Sequence, residues 1–105
     1  MPKPHKVIVT KPAKADLTEI WNYIALQLKE PNIADNIIDM LIEKIESLHQ
    51  MPKRCATVQD EQLALRGCRK LPVKSYIILF TVDDKSQTVK IIRILYGKRD
   101  WVNIL

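Results

Sequence analysis

Glycine is almost missing from this 105-residue chain: Gly67 and Gly97 are the only two. Two glycines cannot build the backbone loop that cradles nucleotide phosphates, so the common phosphate-binding fingerprints are excluded. Histidine is as sparse, with His5 and His49 far apart, and Cys55 and Cys68 form no CxxC pair. No His/Cys/Asp cluster has the spacing of metal ligands, so neither a metal nor another cofactor is expected. Ser47, Ser75 and Ser86 lack the surroundings of an activated nucleophile. The two cysteines read as reduced thiols of a cytoplasmic protein rather than a disulfide. No run approaches the roughly 18 apolar residues of a membrane span, so no membrane partner is expected. The opening MPKPHKVIVT has lysines but lacks the apolar core and cleavage site of a secretion signal.

What is present is an ordinary globular composition, 47% hydrophobic and 28% charged, in a length that suits one domain over residues 1–105. The net charge of +5 is lopsided. Residues 1–52 carry a balance of −1, residues 53–105 one of +6, and all five arginines (Arg54, Arg66, Arg69, Arg93, Arg99) fall in the second half. Arginine is the side chain suited to phosphates and to carboxylates gripped by two prongs. An anionic partner is therefore expected at the C-terminal half, against the alternative of a merely solvated basic surface.

The segment KVIVT (6–10) alternates weakly and reads as a short strand. Pro12 stands where a helix can start, with Thr10 as its cap. Ala13, Leu17, Ile20, Trp21, Ile24 and Leu28 then step by three and four, giving an amphipathic helix to about Lys29. Pro31 breaks it, and Asn32 with Asp35 resembles a capped start. Ile33, Ile37, Leu41, Ile45 and Leu48 carry a second helix until Pro52, and so short a break makes an antiparallel helical hairpin. Asp35, Asp39, Glu43 and Glu46 form its solvated face. Residues 52–61 are polar and irregular. Three strand-like runs follow, ALRGCRKLPV, KSYIILFTV and TVKIIRILY, with Pro72 separating the first two and Asp83–Gln87 turning between the last two. The order predicts an α+β domain, β-α-α-β-β-β, with the helical hairpin on an antiparallel sheet of about four strands.

Arg93 is the anomaly, a charge inside the most apolar strand. Pairing Val82 with Val89 sets Phe80 against Ile91, Ile78 against Arg93 and Tyr76 against Leu95, all on one sheet side. Burying an unpaired guanidinium is too costly, so Arg93 must reach water, a carboxylate such as Asp100, or a phosphate. On this register it lies on an open sheet face beside Ile78 and Ile91, and Arg93→Ala would leave the fold largely intact. A metal-free basic surface with tyrosines suits binding of an acidic partner, or RNA cleavage by the neighbouring 2′-hydroxyl.

The stretch RKLPVKSYIILFTVDDKSQTVKIIRILYGKRDW resembles the C-terminal half of toxins of the RelE/ParE superfamily, from bacterial type II toxin–antitoxin systems. PAKADLTEIWNYI, from Pro12 to Ile24, resembles the family's first helix. The resemblance spans nearly the whole chain, and AKADL with Arg93 and GKRDW is its most specific part. It implies a growth-inhibiting toxin neutralised by a cognate antitoxin whose acidic, flexible C-terminal segment wraps it in a hetero-oligomer. RelE-like members cleave ribosome-bound mRNA without metal, whereas ParE-like members inhibit DNA gyrase. For the first activity the resemblance offers Arg66, Arg69 and Arg93 as a phosphate clamp, with Lys98 and Arg99 beside it and Tyr96 or Tyr76 moving the proton. For antitoxin or target binding it offers Arg66, Arg69, Tyr76, Arg93, Arg99 and Trp101. No tyrosine or histidine follows GKRDW, and the RDW ending with YIILF leans toward the ParE-like branch. A non-toxic nucleic-acid-binding module is the reading from another class.

Overall fold

The computed structural model describes residues 4–58 and 61–97. The elements run β1 (Lys6–Val9), α1 (Lys11–Asn22), a wider π turn (Tyr23–Gln27), α2 (Pro31–Glu46), short 3₁₀ turns at Ser47–His49 and Pro52–Arg54, α3 (Glu61–Leu65), β2 (Cys68–Val73), β3 (Tyr76–Asp83) and β4 (Thr88–Tyr96). The sheet order is β1-β4-β3-β2. The expected α+β architecture, a helical hairpin on a four-stranded sheet, is what the chain adopts. One strand departs from the antiparallel expectation: β1 runs parallel to β4, Val7 beside Val89 and Val9 beside Ile91, which makes the sheet mixed. The intervening helices supply the long crossover that a parallel pair requires.

Apolar periodicity put the core where it is. Ala13, Leu41, Ile45 and Leu48 from the hairpin meet Val73, Ile78, Phe80, Val89, Ile91 and Ile94 from the sheet. The face around Ile78 and Ile91, expected to be open, is therefore the one the helices bury completely. On the other face Leu79, Leu95 and Cys68 pack with Val58 and Leu63, under the short α3 that the sequence reading missed. Ile24, Ala25 and Ala34 fill the space between the two helices. Ile24 and Ala25 are adjacent yet both buried, and the π turn that carries them closes with the Leu28 amide on the Tyr23 carbonyl at 3.0 Å.

Several local expectations change. Thr10 does not cap α1; its hydroxyl donates to the Ile91 carbonyl at 2.6 Å and ties the helix start to β4. Asn32 does not cap α2, which begins at Pro31, and Asp35 instead accepts the Trp21 indole N–H at 2.8 Å, joining the helices. Pro72 lies inside β2 rather than between strands, opposite Ile77, which an edge strand tolerates. Arg66 sits in the turn after α3, not in a strand. Both thiols are buried and unbonded, Cys55 under one face and Cys68 under the other, and burial raises both above the usual thiol range.

The β3–β4 turn carries its own lock. The Asp83 carboxylate accepts the Lys85 amide at 3.0 Å and the Ser86 amide at 3.4 Å, a side chain standing in for backbone. Those donors hold its pKa below the ordinary aspartate value. A depressed folded pKa gives stability that is present above the unfolded value and lost as pH falls through the folded one. An NMR titration should place the Asp83 midpoint below 3.8, with the turn amides losing protection as pH drops through it. A midpoint at or above the ordinary value would show that the carboxylate does not hold the turn.

Candidate functional site

Strand β1 stops before β4 does. Their pairing ends at Val9 and Ile91, where the Thr10 amide donates to the Ile91 carbonyl at 3.2 Å and the chain turns into α1. Beyond that point β4 keeps β3 on one side, and among the described residues no strand flanks the other. Asp16, on the inner face of α1, places its carboxylate against this bare edge. Oδ2 accepts the Ile94 amide at 2.9 Å and Arg93 Nε at 2.7 Å, while Oδ1 accepts Arg93 Nη2 at 2.8 Å. The Asp16 side chain is 6% exposed and that of Arg93 22%. A carboxylate so deep is tolerable only because three donors meet it. The bonds to Asp16 push the Arg93 pKa up further.

This corrects the expected surroundings of Arg93. The ladder keeps the expected Val82–Val89 and Phe80–Ile91 pairs and then slips by one residue at a bulge beside Leu79 and Phe80. Arg93 stands opposite Leu79 rather than Ile78, and Tyr76 opposite Tyr96 rather than Leu95. Its carboxylate partner is Asp16, not Asp100, which lies outside the described residues. One residue of slip moved the side chain to the other face, as the two-residue period of a strand requires.

The remaining arginines are spread out. Arg69, on β2, donates through Nη1 to the Cys55 carbonyl at 2.7 Å and the Lys53 carbonyl at 3.4 Å. Arg54 donates to the Gln50 carbonyl at 2.6 Å and to Ser47 Oγ at 3.1 Å, where the second helix runs out. Arg66 is exposed. Arg69 and Arg93 are thus held by different elements, one by the 53–55 segment and one by α1, and do not converge with Arg66 on one phosphate-sized point. Lys98, Arg99 and Trp101 lie outside the described residues.

What the fold does bring together is a set of tyrosines. Tyr76 and Tyr96 meet edge to face with ring centres 6.0 Å apart. With Tyr23 from the π turn they line a cleft of about 680 Å³ between the end of α1 and the end of β4, alongside Asp16, Glu19 and Ile94. Burial, then the neighbouring Tyr96 and Tyr23, raise the Tyr76 hydroxyl above the usual phenol range. Tyr23 is 52% exposed and Tyr96 41%. Sequence reasoning named Tyr76 and Tyr96 but missed Asp16, Glu19 and Tyr23. Asp16 did leave a signal: it stands three residues after Ala13 and four before Ile20, on the stripe that faces the core.

The comparisons with known proteins follow the same outline. No curated protein matches the chain significantly. Among solved structures, the chromosomal ParDE toxin–antitoxin system of P. aeruginosa shares 23% identity over 92% of this chain and 100% of that one, with a TM-score of 0.73. The RelBE2 toxin–antitoxin complex of Mycobacterium tuberculosis shares 22% identity over 89% and 98%, TM-score 0.61. A doubly arginine-substituted mutant of the E. coli toxin RelE, in the free state, shares 12% over 96% and 92%, TM-score 0.65. At these identities the likeness is one of fold. The family pattern described as "ParE toxin of type II toxin-antitoxin system, parDE" matches residues 7–101, and the chain belongs to that family.

Proposed function

We propose that this toxin acts by inhibiting DNA gyrase rather than by cutting mRNA, and that a cognate antitoxin with an acidic, flexible segment neutralises it. The observation that carries this reading is the Asp16–Arg93 pair. Metal-free RNA cleavage needs preorganised cations aimed at the scissile phosphate, and losing one such donor costs about 10²–10³ in rate. Arg93 is neutralised by a carboxylate, and Arg69 and Arg54 are committed to carbonyls and a hydroxyl. Binding to a protein target makes no such demand. It draws on exposed aromatic and apolar side chains of the kind found at Tyr23, Leu26, Leu28 and Tyr96. The ParE family pattern points the same way. The basic C-terminal half suits an acidic antitoxin segment that orders on binding.

Two assays on purified, folded toxin separate the readings. Supercoiling by DNA gyrase should fall with toxin concentration and recover on adding antitoxin. Primer extension on mRNA in a translating extract should show no new 5′ ends. Ribosome-dependent cuts with normal supercoiling would replace gyrase inhibition by RNA cleavage, and salt-sensitive binding to bare DNA with neither effect would replace both.

A further inference from the structure

The ladder alternation settles which backbone groups of β4 face outward. Gly97 donates its amide to the Ser75 carbonyl at 2.7 Å, toward β3, so the residue before it, Tyr96, turns its amide and carbonyl away. Ile94, two residues earlier, does the same, and its amide is the one Asp16 accepts. The Ile94 carbonyl and the Tyr96 amide are therefore outward-facing strand groups in line with β1, after β1 has ended. An unpaired strand edge is a template for one more strand. The cleft beside it holds about 680 Å³, room for several extended residues rather than one side chain.

The walls of that cleft specify the occupant further. Glu19 contributes a carboxylate at the rim, and the only cation in the immediate wall, Arg93, is already neutralised by Asp16. Tyr23, Tyr76 and Tyr96 present rings, two of them well exposed. Aromatic faces beside an uncompensated carboxylate attract a cation on a long apolar stem. We infer that an extended segment of the antitoxin adds to the β4 edge at Ile94–Tyr96, continuing the line of β1, and sets a lysine or arginine side chain among Glu19, Tyr23 and Tyr96. This rests on the reading of the chain as an antitoxin-bound toxin. It gives the partner two attachment chemistries: acidic residues for the basic half of the toxin, and one basic anchor for the tyrosine cleft.

The test uses the toxin and the acidic polypeptide encoded beside it, purified together and apart. Hydrogen exchange should show the Tyr96 amide exposed in free toxin and protected in the complex. Glu19→Lys, at an exposed helix position, should leave the melt of the free toxin unchanged and weaken association by at least about tenfold, as reversing one facing charge does. Tyr96→Pro removes the outward amide at a place where an edge strand accepts proline, and should weaken it similarly. If Tyr96→Pro does not fold, the exchange result on the unaltered toxin decides. A complex that forms with the Tyr96 amide unprotected and with Glu19→Lys binding at full strength would overturn the docking while leaving the toxin–antitoxin reading intact. No complex with the unaltered toxin would overturn both.

Discussion

Asp16→Ala should lower the melting temperature of the toxin by about 15 °C or more, and its soluble yield with it. The substitution removes one acceptor and strands three donors: Arg93 Nε, Arg93 Nη2 and the buried Ile94 amide. Breaking a buried pair by removing one partner costs about 3–5 kcal/mol, and in a domain of this size each kcal/mol moves the melt by about 4–8 °C. Arg93→Ala should also destabilise, against the expectation from sequence, because it leaves a carboxylate with 6% exposure holding only the Ile94 amide. Arg93→Lys should fall between, since an ammonium keeps the charge but not the two-pronged fit. A melt by circular dichroism on the three variants and on Asp16→Ala/Arg93→Ala checks this. The double variant should lose less than the sum of the singles. Additive losses, or an Asp16→Ala melt within a few degrees of the parent, would mean the pair does not hold the edge of β4.

Antitoxin should raise the melting temperature of the toxin by a comparable or larger amount. A ligand bound only by the folded state stabilises by mass action, about 4 kcal/mol at a thousand times its Kd, which corresponds here to roughly 15–30 °C. Part of the gain would come from covering the exposed Tyr23, Leu26, Leu28 and Tyr96. Expression of the chain alone should arrest bacterial growth, and co-expression of the antitoxin should restore it. Equal melts for free and bound toxin would contradict the linkage. Normal growth at high levels of folded toxin would contradict the toxicity.

The helices were legible because Ala13, Leu17, Ile20 and then Ile37, Leu41, Ile45 recur at helical spacing, and tertiary packing agreed with them. The strand positions were legible for the same reason, at a period of two. The bulge was not. Ile91 and Ile94 both point into the helix-covered core although three residues separate them, which a regular strand forbids. Nothing local in KIIRIL distinguishes a bulge at Ile92 from an unbroken alternation. The tyrosine cleft was half legible, since Tyr76 and Tyr96 lie in strands whose pairing could be guessed, whereas Tyr23 arrives only through the π turn. The arginines misled most. A cluster in sequence suggested a cluster in space, but Arg54, Arg69 and Arg93 each satisfy nearby protein groups that composition cannot see.

The parallel pairing of β1 with β4 bears on when the toxin becomes a toxin. Lys6 meets Thr88, Thr10 meets Ile91 and Asp16 meets Arg93, so the N-terminal contacts span about 80 residues of chain. Contacts this distant close late, because the loop entropy comes due before the contact returns anything. On a ribosome adding about 5–20 residues per second, the interval between making Asp16 and making Arg93 is roughly 4–15 s. Through that interval the first strand has no neighbour, and the last helix-to-sheet lock cannot form. A nascent chain is therefore inert until its final strand has emerged, and an antitoxin already present in the cell has the whole of that delay in which to meet it.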